Sequence, residues 1–240
     1  MSIFHSTART ALLIVALTAH PAMAQLLQLG FSGAPGRDTP QDWKALTFTN
    51  KALTSYRLVD DAGSLALEAR SSAAASGLIR PLNVDAKDYP VLRWRWRVEG
   101  LIEKSNLARK QGDDYPARIY VTFAYDPKRA GVAQRLKYQA AKLVYGKYPP
   151  HAAISYIWAR SEPVGTAAPN AYTDRAHMIV VDSGSADLGR WIAHERNVYE
   201  DYRRVFGEEP PPVSGVAIMT DTDDTGETAS ARFAQISLGR

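Results

Sequence analysis

The segment "VLRWRWRV", residues 91–98, constrains the fold of this chain more than any other stretch. Apolar and cationic side chains alternate along it without a break: Leu92, Trp94, Trp96 and Val98 stand opposite Arg93, Arg95 and Arg97. Successive side chains of a β-strand point to opposite faces. The segment therefore predicts a strand with its tryptophans in the core and its arginines on the other face.

The same period of two continues through most of the chain. It is clearest in "SYRLV", "SLALEA", "GLIRPLNV", "ARIYVTFAYD", "AISYIWA", "AHMIVVD", "RWIAHER", "SGVAIMT" and "ARFAQISL". Tyr156 and Trp158 share the parity of Ile154, so we expect both rings in the core. Roughly ten short strands separated by turn residues are typical of a sandwich or barrel. Asp60 to Gly63 form a hairpin signal between the first two of them.

Two segments have helical periodicity instead. "GVAQRLKYQAAKLVYG", residues 131–146, repeats its apolar residues every three to four positions. "NVYEDYRRVFG", residues 197–207, opens on the N-cap residue Asn197 and closes on Gly207. The sequence thus predicts a mainly all-β fold: a two-sheet, antiparallel, jelly-roll-like β-sandwich with two helical insertions.

The first 24 residues have the pattern of a secretory signal peptide. A short polar start with Arg9 precedes the apolar run "ALLIVALTA", and Ala22 and Ala24 occupy the small-residue positions of a cleavage site. We expect residues 1–24 to be removed and residues 25–240 to form one domain. No later segment approaches the roughly 18 apolar residues of a membrane span.

Composition narrows the compartment and the partners. The chain has no Cys, and an exported protein without disulfides is more typical of the bacterial periplasm than of small disulfide-stapled secreted domains. Removing the signal peptide takes away Arg9 and no acid, so the formal charge falls from +4 to +3. No cluster of Lys and Arg resembles a nucleic-acid arm, and we expect no nucleic-acid partner.

Several long motifs resemble those of a bacterial family. They are "LRWRWRVEG", "GDDYPARIYVTF", "YIWA" with "PVGT", "VVDSG" and "FGEEPPPVSGVAIMTDTDDTG". Together they are similar to the domain-of-unknown-function family numbered 3047, from about Leu29 to Leu238. The resemblance implies an exported single-domain protein and supplies no mechanism. The order of strands, with Trp43 early and an acidic turn before the last strand, is also similar to jelly-roll carbohydrate-binding modules.

Arginine and aromatic residues give the first candidate site. Arginine forks bind carboxylates through paired hydrogen bonds, so a concave face lined with them suits acidic glycans. Trp43 and Trp191 fit no burial pattern, which makes them candidates for partly exposed rings. The predicted ligand-binding residues are Arg93, Arg95, Arg97, Arg118, Tyr120, Trp43 and Trp191.

The acidic stretch "DTDDTG", residues 221–226, is the second candidate site. Its leading interpretation is a polar turn between two strands, with Gly226 allowing a positive φ. The alternative is a structural Ca²⁺ site in which Asp221 and Asp223 join Asp113 and Asp114 of a second loop. It is not an EF-hand, because Arg232 occupies the position of the closing Glu. No other cofactor is indicated.

Catalytic motifs are sparse. Glu99, Asp113, Asp114 and Glu195 are the acids from which a glycosidase pair would have to come, but their spacing does not single out two of them. The sequence therefore favours non-catalytic binding of a glycan or another polar or acidic ligand in the cell envelope. A polysaccharide lyase or hydrolase on the same fold, and an envelope assembly protein that binds another protein, remain the alternatives.

Overall fold

A computed structural model describes residues 26–128, 131–133, 135–136, 138–139 and 149–240. The predicted signal peptide lies outside these residues. So does most of the first predicted helix, of which positions 132, 133, 135, 136, 138 and 139 are described and are helical. In the described part of the chain no helix is long and apolar enough to cross a membrane.

The described residues form two β-sheets. The strands are β1 (Leu26–Gln28), β2 (Lys44–Thr47), β3 (Ser55–Asp61), β4 (Ser64–Ser72), β5 (Ala75–Val84), β6 (Val91–Val98), β7 (Arg118–Phe123), β8 (Ala152–Ala159), β9 (Ala167–Asn170), β10 (Thr173–Ser183), β11 (Ile192–Asn197), β12 (Val213–Asp221) and β13 (Thr228–Gly239). Sheet A has the order β11-β6-β13-β4-β3, with β1 also paired to β13. Sheet B has the order β2-β5-β12-β7-β8-β10-β9. This confirms a mainly β, jelly-roll-like sandwich.

One strand pair departs from the expected antiparallel pattern. The chain leaves β8, crosses to the edge strand β9 and returns as β10 between them, so β10 runs parallel to β8. All other strand pairs of the described residues are antiparallel. The strands β1, β2 and β9, of three or four residues each, are too short to show a period in the sequence.

The core lies between the two sheets, as the alternation predicts. Trp94 and Trp96 of β6 are 2% and 0% exposed. Trp94 stacks on Tyr156 of sheet B at 5.3 Å, and the rings of Trp96 and Trp158 lie 6.4 Å apart. Side-chain parity therefore identified the buried face of β6 and β8 correctly.

The second predicted helix is present as α1, Val198–Phe206. The side chain of Asn197 accepts a hydrogen bond from the Glu200 backbone N–H at 3.0 Å. Gly207 ends the helix in the left-handed conformation with φ of 68°. Cap residues at both ends satisfy backbone groups that the helix itself leaves without partners. Because only a few residue types do this well, Asn197 and Gly207 predicted the two ends of the helix.

The segment between β6 and β7 folds back over the outer face of sheet B. Its residues Leu107 and Tyr115 form a second, smaller apolar cluster with Ile157, Ala159, Met178 and Val180. A short 3-10 helix, Lys110–Gly112, precedes Asp113 and Asp114 in this segment. Packing of the segment on the sheet places these two acids beside the end of β12.

Candidate ligand-binding cleft

A cleft of about 370 Å³ opens on the outer face of sheet B. Its floor comes from neighbouring strands and its walls from the loops around them. The lining residues are Phe48, Lys51, Ala75, Asp113, Arg118, Tyr120, Asn170, Tyr172, Ala176, Met219, Asp221, Asp223 and Asp224. Clefts of this size with a few convergent polar groups are where small ligands usually bind.

Arg118 is the centre of the cleft floor. Its Nε donates to Asp221 Oδ1 at 2.8 Å, and its Nη1 donates to Asp113 Oδ1 at 3.1 Å and to the Tyr120 hydroxyl at 3.3 Å. Its Nη2 donates to Asp221 Oδ2 and to the backbone oxygen of Asp113. The guanidinium lies 4.4 Å above the Tyr115 ring. All five N–H groups of this side chain are therefore used within the protein.

Every oxygen of the two carboxylates bound to Arg118 accepts at least one hydrogen bond from the protein. Asp221 Oδ1 accepts a further hydrogen bond from the Tyr115 backbone N–H at 3.2 Å, and Asp113 Oδ2 accepts one from Asn170 Nδ2 at 2.7 Å. Burial raises the pKa of Asp221 to about 7, although the neighbouring Arg118 acts in the opposite direction. Burial alone would lower the pKa of Arg118, but Asp221 and Asp113 raise it well above its ordinary value. The floor is thus a preorganised polar network without a spare donor on its arginine.

Two aromatic rings stand at the cleft with part of their surface open to solvent. Phe48 follows β2 and is 42% exposed, and Tyr172 lies in the β9–β10 turn and is 54% exposed. The Tyr172 hydroxyl donates to the Asp224 carboxylate, with oxygen distances of 2.9 and 3.0 Å. Burial and Asp224 raise the pKa of Tyr172 to about 12, so the hydroxyl stays protonated at neutral pH.

An acidic cluster forms one wall of the cleft. Oxygen atoms of Asp114, Asp223 and Asp224 all lie within 4.8 Å of one another. The Lys51 ammonium contacts Asp223 Oδ2, and this contact raises the pKa of Lys51. Asp223 and Asp224 belong to the turn between β12 and β13, where Gly226 has a φ of 72°, whereas Asp114 lies in the segment between β6 and β7. "DTDDTG" is thus a turn between strands, as its leading interpretation predicts.

The fold regroups the residues that the sequence proposed. Arg118 and Tyr120, predicted as ligand contacts, line the same cleft as Asp113, Asp221 and Asp223, which were predicted as metal ligands. Asp114, the fourth predicted metal ligand, lies in the adjoining cluster with Asp223 and Asp224. Since Asp113 and Asp221 hold Arg118, the structure does not group the four acids around one point.

The predicted row of arginines is divided between the two sheets. Arg93, Arg95 and Arg97 lie on β6 of sheet A, whereas Arg118 lies on β7 of sheet B. Arg93 pairs with Glu195 at 2.7 Å and Arg97 with Glu99 at 2.9 Å on the outer surface of sheet A. These four arginines therefore do not form one guanidinium-lined concavity, because the strands that carry them belong to opposite layers.

Trp43 and Trp191, which fit no burial pattern in the sequence, differ in how far their rings are exposed. The expectation of a partly exposed Trp43 was wrong, because its ring is 4% exposed and packs on Phe31 with the centroids 5.2 Å apart. Trp191 is half-buried on the sheet A side, where its Nε1 donates to Asp61 and Arg95 covers its ring at 4.5 Å. Neither residue lines the cleft.

Sequence reasoning missed several residues of the cleft. Phe48, Lys51, Asn170 and Tyr172 lie in short loops or at strand ends, where no periodicity marks them. Asn170 and Tyr172 carry one weak signal, since the Asn170 side chain accepts a hydrogen bond from the Tyr172 backbone N–H at 3.0 Å. This is the local turn chemistry that Asn often supplies.

Fold and site together define a jelly-roll-like β-sandwich with a polar, aromatic-edged cleft on the outer face of its larger described sheet. The model of a family described as "Protein of unknown function (DUF3047)" matches residues 41–237. The chain therefore belongs to this family. No curated protein sequence matches it.

Solved structures with a similar fold include carbohydrate-active proteins. The family 11 carbohydrate-binding module of the cellulosomal cellulase Lic26A-Cel5E of Clostridium thermocellum has a TM-score of 0.45 at 10% identity, covering 91% of this chain and 97% of that one. Endoglucanase cel12A from Rhodothermus marinus has a TM-score of 0.46 at 10% identity, covering 90% and 99%. Trichoderma harzianum endoglucanase 3 from family GH12 has a TM-score of 0.45 at 7% identity, covering 92% and 99%.

Proposed function

We propose that this protein binds a polyhydroxylated ligand of the glycan class in the sheet B cleft and does not cleave it. The observation that supports this proposal is that the cleft combines two part-exposed rings, Phe48 and Tyr172, with a floor organised by Arg118. A sugar presents C–H groups on one face and hydroxyls at its edge. Aromatic rings with a polar neighbour suit such a ligand, because one part of the contact is apolar and the other is wet.

Charge supports a neutral or amino-bearing ligand over an acidic one. The cleft is lined by the four acids Asp113, Asp221, Asp223 and Asp224 and by two cations, Lys51 and Arg118. The donors of Arg118 are all occupied by protein groups. A uronic acid would therefore meet carboxylates without a free arginine fork, and like charges at close range weaken binding. This argues against the acidic ligand that the arginine pattern favoured.

The hydrogen bonds of the floor support binding without catalysis. A general acid or base must reach the ligand with a free oxygen at about 2.6–3.2 Å. Both oxygens of Asp113 and both of Asp221 accept hydrogen bonds from Arg118, Asn170 or the Tyr115 backbone. These carboxylates orient Arg118, and because each of their oxygens already accepts a hydrogen bond from the protein, a structural role fits them better than that of a glycosidase pair.

A glycan array separates binding from cleavage. The purified protein is applied to neutral glucans, amino-sugar polymers and uronic-acid polymers, and retention and released reducing or unsaturated ends are measured on the same samples. We expect retention on a neutral or amino-bearing polymer with no product above the buffer control. Product release would make the protein an enzyme, and retention by another periplasmic protein in place of every glycan would make it an assembly protein.

The site of action in this proposal is the periplasm. The basis is the charge and small-residue pattern of residues 1–24 together with the absence of Cys. Fractionation of cells that express the full chain tests it. We expect a periplasmic form whose N-terminus is Gln25, and a cytoplasmic form with residues 1–24 still attached would contradict export.

A further inference from the structure

We propose that Asp114, Asp223 and Asp224 form a site for a divalent cation, Ca²⁺, in the wall of the cleft. The ligand set differs from the one that the acidic motifs suggested, because Asp113 and Asp221 are held by Arg118 and Asp224 takes part instead. The site needs no ligand in the cleft, but Asp223 and Asp224 also line the cleft, so a bound cation would reduce the negative charge that a glycan meets there.

The first observation is the spacing of the oxygen atoms. One oxygen of each of the three carboxylates lies within 4.8 Å of the other two. Calcium binds oxygen ligands at about 2.3–2.6 Å, so oxygens on opposite sides of one ion are up to roughly 5 Å apart. The cluster therefore has the width of a Ca²⁺ coordination sphere, and water supplies the remaining ligands of such an ion.

The second observation is a buried oxygen without a partner. Asp114 is fully buried, and its Oδ2 accepts a hydrogen bond from the Thr225 backbone N–H at 2.6 Å. Its Oδ1 is buried and has no hydrogen-bond partner among the described residues. Buried polar atoms nearly always have a partner, so this oxygen is suited to bind an ion or a water molecule. The neighbouring carboxylates of Asp223 and Asp224 make a cation the better fit.

The charges of the acidic cluster also favour a bound cation. Among the described residues, one ion pair involves these three carboxylates, that of Asp223 with the Lys51 ammonium, which is itself 41% exposed. Two negative charges remain close together, which is unfavourable in a partly buried site. A divalent cation neutralises them. Lys51 then acts as a competitor that lowers the affinity of the site without occupying its buried side.

The loops that carry the three acids are fixed to each other. The Glu227 carboxylate accepts hydrogen bonds from the Glu103 and Lys104 backbone N–H groups at 3.0 and 2.9 Å. The Thr225 backbone oxygen accepts one from Lys104 Nζ at 3.2 Å. Because these contacts join the β6–β7 segment to the β12–β13 turn, the ligand oxygens are held near one another before the cation binds.

Calcium titration of the purified protein, freed of metal with a chelator, tests the site. We expect one Ca²⁺ to bind with a Kd on the order of 0.1–1 mM, the range of extracellular modules, and Mg²⁺ to bind more weakly. With 10 mM Ca²⁺ the melting temperature should rise by roughly 3–10 °C. Wild-type protein that shows neither heat of binding nor a change in melting temperature at 10 mM Ca²⁺ would overturn the proposal.

Three variants locate the bound ion. Asp223→Asn should lose the Ca²⁺ response while it melts near the wild-type temperature without metal, because the contact of Asp223 among the described residues is with the part-exposed Lys51 side chain. Asp187→Asn, an exposed acid that pairs with Arg190 outside the cluster, is the matched control and should respond like wild type. Lys51→Met should bind Ca²⁺ severalfold more tightly. An Asp223→Asn protein that binds Ca²⁺ like wild type would contradict the assignment.

Discussion

Arg118 illustrates how one residue sets the character of the site. Its side chain is 2% exposed and joins Asp113, five residues before it, to Asp221, 103 residues after it in the chain. Removing one member of a buried ion pair leaves an uncompensated charge, which costs more than the pair itself contributes. Arginine at this position is thus a structural support of the cleft and not a contact for an acidic ligand.

Arg118→Met tests this role. We expect the free energy of unfolding to fall by about 3–5 kcal/mol, because Asp113 and Asp221 then lose their shared cation. Arg93→Met is the control, since the Arg93 to Glu195 pair is solvent-exposed and such pairs contribute about 0.2–1 kcal/mol. Urea denaturation of both variants gives the comparison. Equal losses in the two would show that the floor network does not support the fold.

Helix α1 is the element whose limits the sequence specified best. The Asn197 side chain caps the first turn with a hydrogen bond, and Gly207 ends the helix with a positive φ. Both signals depend on residues close to the helix ends. A Cβ at Gly207 would meet no atom within 4 Å, so a substitution there is opposed by backbone conformation alone. Substitutions at Asn197 and Gly207 therefore test the contribution of the helix caps apart from that of side-chain packing.

Asn197→Ala should lower the free energy of unfolding by about 1 kcal/mol, because the Glu200 N–H loses its acceptor. Asn197→Asp keeps an acceptor and should remain near wild type. Gly207→Ala should cost about 1–2 kcal/mol from the left-handed conformation. Thermal melts of the three proteins check this, and an unaffected Asn197→Ala would show that α1 is held by tertiary contacts alone.

Strand β10 carries a pH-sensitive contact with α1. His177 packs edge-on against Phe206 with the ring centroids 4.8 Å apart. Burial, and to a lesser degree Arg175, lowers the pKa of His177 below 6.5, whereas Asp174 acts in the opposite direction. The fold thus favours the neutral imidazole, so its contribution to stability is complete above pH 6.5 and declines as the pH falls.

We therefore expect His177→Gln to reduce the loss of melting temperature between pH 7.5 and pH 5.0. The comparison with wild type at each pH cancels the titration of other groups. Should the two proteins lose the same number of degrees, His177 is not a source of the acid sensitivity.

For the molecule as a whole, the sequence predicted the local structure of single segments but not which distant segments pair with each other. Parity along β6 and β8 identified the buried tryptophans because each strand carries that information in its own residues. The cleft depends on contacts between distant segments, such as Asp114 with Thr225, 111 residues apart. No single strand reveals which sheet it joins, so Arg118 was grouped with the arginines of the opposite layer. Phe48 and Tyr172 lie outside any periodic segment and carried no burial signal.

The proposed function requires that ligand binds at the cleft of sheet B and not on the arginine face of sheet A. The affinity of the best-retained oligosaccharide for four proteins tests it by calorimetry. Tyr172→Ala removes an exposed ring of the cleft, and Tyr199→Ala is the matched control, since its hydroxyl also donates to a carboxylate, that of Glu209, outside the cleft lining. Arg95→Ala probes the Arg95 and Trp191 surface of sheet A.

We predict that Tyr172→Ala weakens binding by about tenfold or more, the loss that truncation of an aromatic anchor typically causes. Tyr199→Ala and Arg95→Ala should stay within about twofold of wild type, a difference of roughly 0.4 kcal/mol. Unchanged affinity in Tyr172→Ala together with a tenfold loss in Arg95→Ala would place the binding site on sheet A and overturn the proposed function of the cleft.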